Sequence, residues 1–509
     1  MKKHNSDRIW NGFSVLMLVL LAAAEGFLLW QIRKLKMLPN QYFLALCGAC
    51  LALTVLVGLL MLWQKRGKWQ KRAGRGRQIA GIILSLFILA GCLLGSRALD
   101  RVLRTIGTIT APEKVNVILE IYVREEDSAQ YLEDTAGYTF AMAQDIPEKV
   151  AEEMQLRLEQ SLGEAPDILR CSGTVEAMDM LLSGQADALI LDSAYLFIFE
   201  DMEGYEDIQS RIRVLDEYVI EKEEPKVTQP AQTDKPKVED ITSQPFLLYI
   251  SGNDARLEKL ADGGSDVNIL VAVNPQAHQI LLVNTPRDYY VVNPASGDGS
   301  MDKLSHCGLR GINNCILAME GLYGIPIDYY ARINFSGFRT LIDAIGGVTV
   351  YSDRAFDTSV IYIREGENYL NGRQALAFAR ERKNLPGGDN DRGKNQMRLI
   401  SAMINQLSAG NLIANYAQIL ESLEGMFSTS LPAEDIGKLV QFQLTQMPSW
   451  DVKSFAVTGS NGTDKCWAKS NVYAYVMYPH EHMVEHAADL ISRVLEGEVL
   501  TDEDLTVNP

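Results

Sequence analysis

The run SDVNILVAVNPQAHQILLVNTPRD, residues 265–288, reads as two apolar strands with a turn between them. Residues 267–273 (VNILVAV) and 279–285 (QILLVNT) have the length and β-branched content of strands, and Asn274-Pro275 is a turn signal. The second strand ends on Pro286-Arg287-Asp288, which sets a cation and a carboxylate at a sheet rim, where ligands of open α/β sheets tend to bind. The same residues also suit a strand-end turn with a surface ion pair. Upstream, 246–250 is a further strand. Downstream, 311–323 has helical apolar spacing, 329–333 (YYARI) is strand-like, 335–345 is a helix stopped by Gly346-Gly347, and 348–351 starts a strand. This alternation predicts an α/β fold, a mixed sheet flanked by helices. A helix over 391–407, more helix beyond Gly410, a strand near 450–457 and a terminal helix near 481–495 complete the unit.

Within it, Arg380, Arg382, Asp389, Arg392 and Gln396 fall inside seventeen residues. Guanidinium groups match phosphate oxygens bidentately, so this density of Arg beside a carboxylate suits a site for a polyphosphate. Arg380 and Arg382 are two apart, which on an extended segment points both one way. Asp389, Arg392 and Gln396 share one face of a helix, whose start after Pro386-Gly387-Gly388 offers free N–H groups to an anion. The competing reading is a solvated charged loop. Asp254 and Asp266, at the end of one strand and the start of the next, are either turn residues or carboxylates placed for Mg2+ beside a pyrophosphate. His482 and His486 stand at i, i+4 but lack the order of a metalloprotease helix, and a surface helix accounts for them. Cysteines are scattered, with no CxxC pair of zinc spacing in residues 98–509; a Cys307–Cys315 disulfide is left open.

Three apolar runs precede residue 97: 13–30, 42–63 and 79–96, each long enough to cross a bilayer. The link between the second and third carries Lys65, Arg66, Lys68, Lys71, Arg72, Arg75 and Arg77, against Arg33, Lys34 and Lys36 in the first link. The positive-inside rule predicts a cytoplasmic N-terminus and an extracytoplasmic chain after about residue 97. Glu25, costly in lipid, is either a functional residue or, the favoured reading, packs against a neighbouring helix. Residues 1–95 hold 13 Lys and Arg and 2 Asp and Glu, a net of +11, which leaves −28 for the rest of a chain that totals −17. An exported part that acidic is a poor candidate for non-specific nucleic-acid binding. The expected organisation is 1–97 membrane helices, 112–220 a smaller α/β accessory domain, 221–243 a Pro/Glu/Lys-rich linker, 244–496 the main domain and 497–509 an acidic tail. In the accessory domain 115–123 and 186–191 are expected strands, and 148–162 and 174–182 expected helices.

The segments SGND at 251–254, SDVNIL at 265–270, TPRDYYV at 285–291, YYARINF at 329–335, DAIGGV at 343–348, ALAFARER at 375–382 and GDNDRGKNQ at 388–396 together resemble the LytR-CpsA-Psr family of cell-envelope proteins, in the family's order. Three membrane helices plus an accessory domain resemble its capsule-associated branch. The resemblance implies a mixed sheet between helices with a hydrophobic pocket for a polyprenyl chain. It implies transfer of a glycopolymer, capsular polysaccharide or teichoic-acid-like, from an undecaprenyl-pyrophosphate carrier to peptidoglycan, assisted by Mg2+. Carried over residue by residue, Arg287, Arg380, Arg382, Arg392 and Gln396 would hold the pyrophosphate. Asp254 and Asp266 would hold the metal, and Asp389 would activate the acceptor hydroxyl. The expected partners are the lipid-linked donor, peptidoglycan, the membrane and other polysaccharide-assembly proteins. Two positions depart from the family pattern: Gly264 and Leu317 stand where cations are common, with Arg256 and Arg310 as candidate replacements. Those departures keep a non-catalytic donor-binding regulator of polysaccharide assembly as a rival reading. A transcriptional attenuator is the second rival, disfavoured by the outward topology.

Overall fold

The computed structural model describes residues 2–62, 71–110, 115–144, 146–200, 202, 204–205, 207–222, 238–253, 260, 263–407, 419–420, 423–469 and 472–507. Lys65, Arg66 and Lys68 of the basic link, most of the 221–243 linker, Asp254, Arg256 and the stretch just beyond Gly410 lie outside them.

Three helices open the chain, Lys2–Leu35, Asn40–Leu62 and Lys71–Ile109. Within them Gly12–Leu35, Asn40–Leu62 and Gly76–Ile109 are long and apolar enough to cross a membrane. Met17, Leu21, Val57 and Met61 pack inside the bundle, while Leu44, Phe87 and Leu94 face outward. A helix backbone satisfies its own polar groups, so an apolar outer face is compatible with lipid. Glu25 accepts a hydrogen bond from Thr54 Oγ1 of the second helix at 2.6 Å, the inter-helix packing expected of it. Helix Ala433–Gln446 belongs to this same unit: Lys36 Nζ lies 3.0 Å from Glu434 Oε1, and Gln441 Nε2 donates to Leu38 O at 3.1 Å.

The second unit carries two larger sheets. The smaller, five-stranded one runs in the order Asp167–Cys171, Thr139–Ala143, Ala188–Asp192, Val115–Arg124, Ile212–Lys222. Its first three strands are parallel to one another, and the last two pair antiparallel. Helices Glu148–Leu162 and Thr174–Ser183 cover it, each ended by a glycine with positive φ, Gly163 and Gly184. Leu309, from the other sheet's side of the unit, sits in this domain's core beside Tyr195 and Phe199.

The six-stranded sheet runs Phe427–Thr429, Tyr329–Asn334, Phe246–Asn253, Ser265–Asn274, Gln279–Asn284, Asp451–Ala456. It is mixed: Tyr329–Asn334 lies parallel to Phe246–Asn253, Asp451–Ala456 lies parallel to Gln279–Asn284, and the other pairs are antiparallel. Alternate residues point to opposite faces. Leu247, Tyr249, Leu270, Ala272, Leu281 and Val283 meet helices Ile312–Tyr323 and Glu481–Leu495 on one face. Helices Phe335–Ala344, Gly372–Arg380 and Asp389–Gln406 pack on the other. Burial on both faces explains why 269–273 is continuously apolar rather than alternating. Residues 497–507 pack back on the domain rather than trailing away: Leu500 N and O both bond the Gln279 amide, and Asp504 pairs with Arg493 at 2.9 Å.

Four antiparallel strand pairs are not evident from the sequence: Tyr290–Val292 with Met301–Lys303, Val348–Ser352 with Gly366–Leu370, Phe356–Asp357 with Tyr362–Ile363, and the hairpin Gly459–Cys466 with Val472–Pro479. Cys307 and Cys315 are both buried free thiols. His482 stacks on His480, and His486 Nε2 is 2.9 Å from Asp504 O, a surface-helix arrangement.

Candidate functional site

A cavity of about 410 Å3 lies between the second sheet face and its three helices. Its character changes along its length, and helix Asp389–Gln406 shows why. Arg392, Gln396, Leu399, Ile400, Met403 and Ile404 all line it. Their spacing of three and four puts them on one face, cationic and amide at the first turns, apolar after. Over those residues the helix advances roughly 18 Å at about 1.5 Å per residue. Phe338, Leu341 and Leu376 line the cavity from the neighbouring helices. The polar mouth gathers Asp266, Arg287, Arg380, Arg382, Arg392 and Gln396 from four separate segments.

Local structure fixes these groups. Arg287 follows strand Gln279–Asn284 and reaches Asp266 Oδ1 at 2.8 Å, across the turn that the opening sequence run predicts. Asp389 begins its helix and lies 2.6 Å from Arg392, the i, i+3 pairing expected from the sequence. Gly388, with φ +53°, precedes that helix. Gly393 lets it approach the sheet, since a Cβ there would meet Asn284 Nδ2 at 2.2 Å. Burial pushes the Asp389 carboxyl above its ordinary range, and Arg392 only partly offsets this, with Asp288 adding to the rise. The first turn also carries Asp391, which accepts from Gly387 N at 3.0 Å, so the helix start is already served by its own carboxylate.

Three expectations need correction. Arg380 is not on an extended segment: it ends helix Gly372–Arg380, whose guanidinium lies 4.6 Å from the Phe335 ring centre, and only Glu381 turns extended. That helix has a sequence signal, the Asn371/Gln374 capping box. Leu317 sits on helix Ile312–Tyr323, which packs the opposite sheet face, so no cation is missing from the cavity there. Arg310 does not replace one either, because its guanidinium lies over Trp467 at 5.6 Å.

The ammonium that sequence reading missed is Lys303. Its side chain is 2% exposed and its Nζ lies 3.2 Å from Asp288 Oδ1. Asp288 in turn lies 3.7 Å from Arg287 Nε. The mouth thus presents the cations Arg287, Arg380, Arg382 and Arg392 with the carboxylate Asp266, while Lys303, Asp288 and Asp389 pair around them from outside its lining. Behind Lys303, buried Asp302 accepts from Lys303 N, His306 Nδ1, Asn293 Nδ2 and Ala468 N. An excess of fixed cations around a few carboxylates, opening onto an apolar tunnel, suits an amphiphile with a multiply anionic head.

Residues 216–490 match the model of the LytR_cpsA_psr family. The chain belongs to this family. A relative in Enterococcus faecalis, named polyisoprenyl-teichoic acid–peptidoglycan teichoic acid transferase TagU, is 32% identical over 210 residues, covering 40% of this chain and 68% of the relative. The protein of the same name in Halalkalibacterium halodurans is 32% identical over 258 residues, 50% of this chain and 81% of the relative. Among solved structures, B. subtilis TagV is 27% identical, covering 50% of this chain and 98% of that one with a TM-score of 0.42. The LytR_cpsA_psr match takes in every described residue of the mouth and begins after the three apolar helices.

Proposed function

We propose that this protein is a membrane-anchored transferase that moves a glycopolymer from a polyprenyl-pyrophosphate carrier to peptidoglycan outside the membrane. The observation that carries the reading is the graded cavity, with Arg392 and Gln396 at its mouth and Leu399 to Ile404 along its depth. A polyprenyl chain would occupy the apolar length and its pyrophosphate the mouth. The TagU relatives act, by their names, on a polyisoprenyl-linked polymer and peptidoglycan.

Phosphoryl transfer is mainly positioning and charge stabilisation. Arg287, Arg380, Arg382, Arg392 and Gln396 would hold the pyrophosphate oxygens, and Lys303 would hold Asp288 in place. Asp389 would take the proton of an acceptor sugar hydroxyl. That oxygen then bonds the glycan-bearing phosphorus, and the bond from this phosphorus to the bridging oxygen breaks. Polyprenyl phosphate leaves, and a phosphodiester remains between polymer and peptidoglycan. Asp266, whose carboxylate lines the mouth beside Arg287, would offer Mg2+ the hard oxygen ligand this ion prefers alongside phosphate oxygens. Asp266, with Asp254 outside the described residues, would hold the ion, which would neutralise developing phosphate charge. In a detergent-solubilised full chain, polyprenyl monophosphate is expected to appear only when donor and peptidoglycan are both present; release without peptidoglycan contradicts the reading.

The membrane orientation rests on the cation-rich second link, proposed as cytoplasmic. It is supported by helix Ala433–Gln446 of the later chain, which bonds Lys36 and Leu38 in the first link, on the proposed outer side. The capsular or teichoic-acid identity of the polymer, and the undecaprenyl length of the carrier, belong to the same proposal.

Two results are expected here. Asp389 must be ionised to accept a proton, and its pKa stands above the ordinary carboxylate range because of burial. Transfer should therefore fall as pH drops through a limb displaced above about 4. Arg392 lowers that pKa, so Arg392→Gln should move the limb to higher pH, as read from a pH–rate profile. Second, Ile404→Trp should fill the apolar end of the cavity and weaken polyprenyl-pyrophosphate binding by about tenfold or more, roughly the worth of two lost methylene contacts. Binding of a short-chain pyrophosphate should change little, and titration of both ligands checks the difference.

A further inference from the structure

The hairpin Gly459–Cys466 with Val472–Pro479 is edge-on to the site. Met477 N donates to Asp288 O at 2.7 Å, so its second strand runs directly against the Pro-Arg-Asp segment. Two residues earlier, the Tyr475 ring centre lies 5.8 Å from Lys303 Nζ, the same ammonium that holds Asp288. The ladder pairs Tyr473 with Lys465 and Tyr475 with Thr463, which places these four on one face. The opposite face, with Cys466, Ala474 and Val476, is buried. Tyr473 and Tyr475 are instead 62% and 43% exposed. The Tyr475 hydroxyl is fixed by Asn461 Oδ1 at 2.8 Å, which holds the ring in place while it stays open to solvent.

Resting on the transferase reading, we propose that this outward face is the shelf for the acceptor glycan. The chemistry selects a sugar chain. Pyranose rings present C–H groups that pack on the negative face of an aromatic ring, and Asn461, Thr463 and Lys465 offer hydrogen bonds to hydroxyls and N-acyl groups alongside. Two tyrosines at alternate strand positions, roughly 7 Å apart, offer successive rings to one chain. The shelf starts beside Asp288 and so delivers the chain to the mouth that holds the donor's head. It lies off the apolar cavity, whose lining includes none of these residues.

The test uses the full chain in detergent and two separate ligands: a lipid-free peptidoglycan oligosaccharide, and polyprenyl pyrophosphate with no sugar. Tyr475→Ala should weaken oligosaccharide binding about three- to tenfold, the worth of one aromatic contact. Tyr473→Ala, at a more exposed ring that the fold does not need, should weaken it in the same direction, and Tyr475→Phe should stay within about twofold. Polyprenyl-pyrophosphate affinity should hold in all three. Unchanged oligosaccharide binding in both alanine variants overturns the proposal, as does parallel loss of both ligands. Oligosaccharide binding that depends on Tyr475 without any transfer sustains the shelf and sinks the transferase reading. Transfer with an acceptor KM unmoved by either alanine does the reverse.

Discussion

Asp389→Asn is expected to lower transfer about a thousandfold, within the range of about 10²–10⁴ for losing a general base. Affinity for the polyprenyl-pyrophosphate donor should not fall. Asparagine keeps the shape at the start of helix Asp389–Gln406 but cannot accept the acceptor's proton. It also removes a negative charge 2.6 Å from Arg392, which leaves that guanidinium wholly to the pyrophosphate. The split between kcat and donor affinity separates this role from a structural one. Parallel measurements of transfer and of polyprenyl-pyrophosphate binding read it, and a variant that loses both contradicts the assignment.

The second large effect is on stability. Asp302 is fully buried, and its two oxygens accept four hydrogen bonds, from Lys303 N, His306 Nδ1, Asn293 Nδ2 and Ala468 N. Asp302→Ala strands all four donors at once. A cost on the order of 3–5 kcal/mol is expected, or a Tm lower by roughly 10 °C for a domain of this size. Burial pushes the Asp302 carboxyl up, but His306, Ala468 N and Asn293 outweigh it, and the net shift is downward. A carboxyl with a lowered folded pKa stabilises above its unfolded value of about 3.9, and that stability is lost as pH falls through the folded value. The gap in Tm between wild type and variant should therefore be full near pH 7 and narrow below about pH 4. Because Lys303 follows Asp302 directly and pairs with Asp288, the variant should also lose activity beyond what unfolding explains.

How much was legible in advance follows from which residues act locally. Strands at 267–273 and 279–285 declare themselves because both their faces are buried, so most of their residues are apolar and the apolar positions do not alternate. The Arg392–Asp389 pair lies within one helical turn and so can be read from spacing. Arg287 and Asp266 are separated only by a hairpin, and their meeting follows from the turn at Asn274-Pro275. Lys303 is different. Its partner Asp288 lies on another element, and nothing in the Met301-Asp302-Lys303-Leu304 run marks the lysine as buried; seeking that cation at Leu317 put it on the wrong face of the sheet. The hairpin at 459–466 escaped because Gly459-Ser-Asn-Gly-Thr-Asp464 has the composition of a loop. It is a strand because Val472–Pro479 supplies the apolar face for both. For Arg380 the helical signal is local, the Asn371/Gln374 capping box, which outweighs the extended geometry its spacing from Arg382 suggests.

The most direct test of the account follows label from lipid to wall. Full-length protein in detergent is given a polyprenyl-pyrophosphoryl oligosaccharide with radiolabelled sugar, peptidoglycan and Mg2+. Label is expected to join peptidoglycan through a phosphodiester, dependent on Arg380 and Asp389 and matched by release of polyprenyl monophosphate. Tight donor binding with all label left on the lipid would contradict it and favour a protein that holds the donor without transferring it.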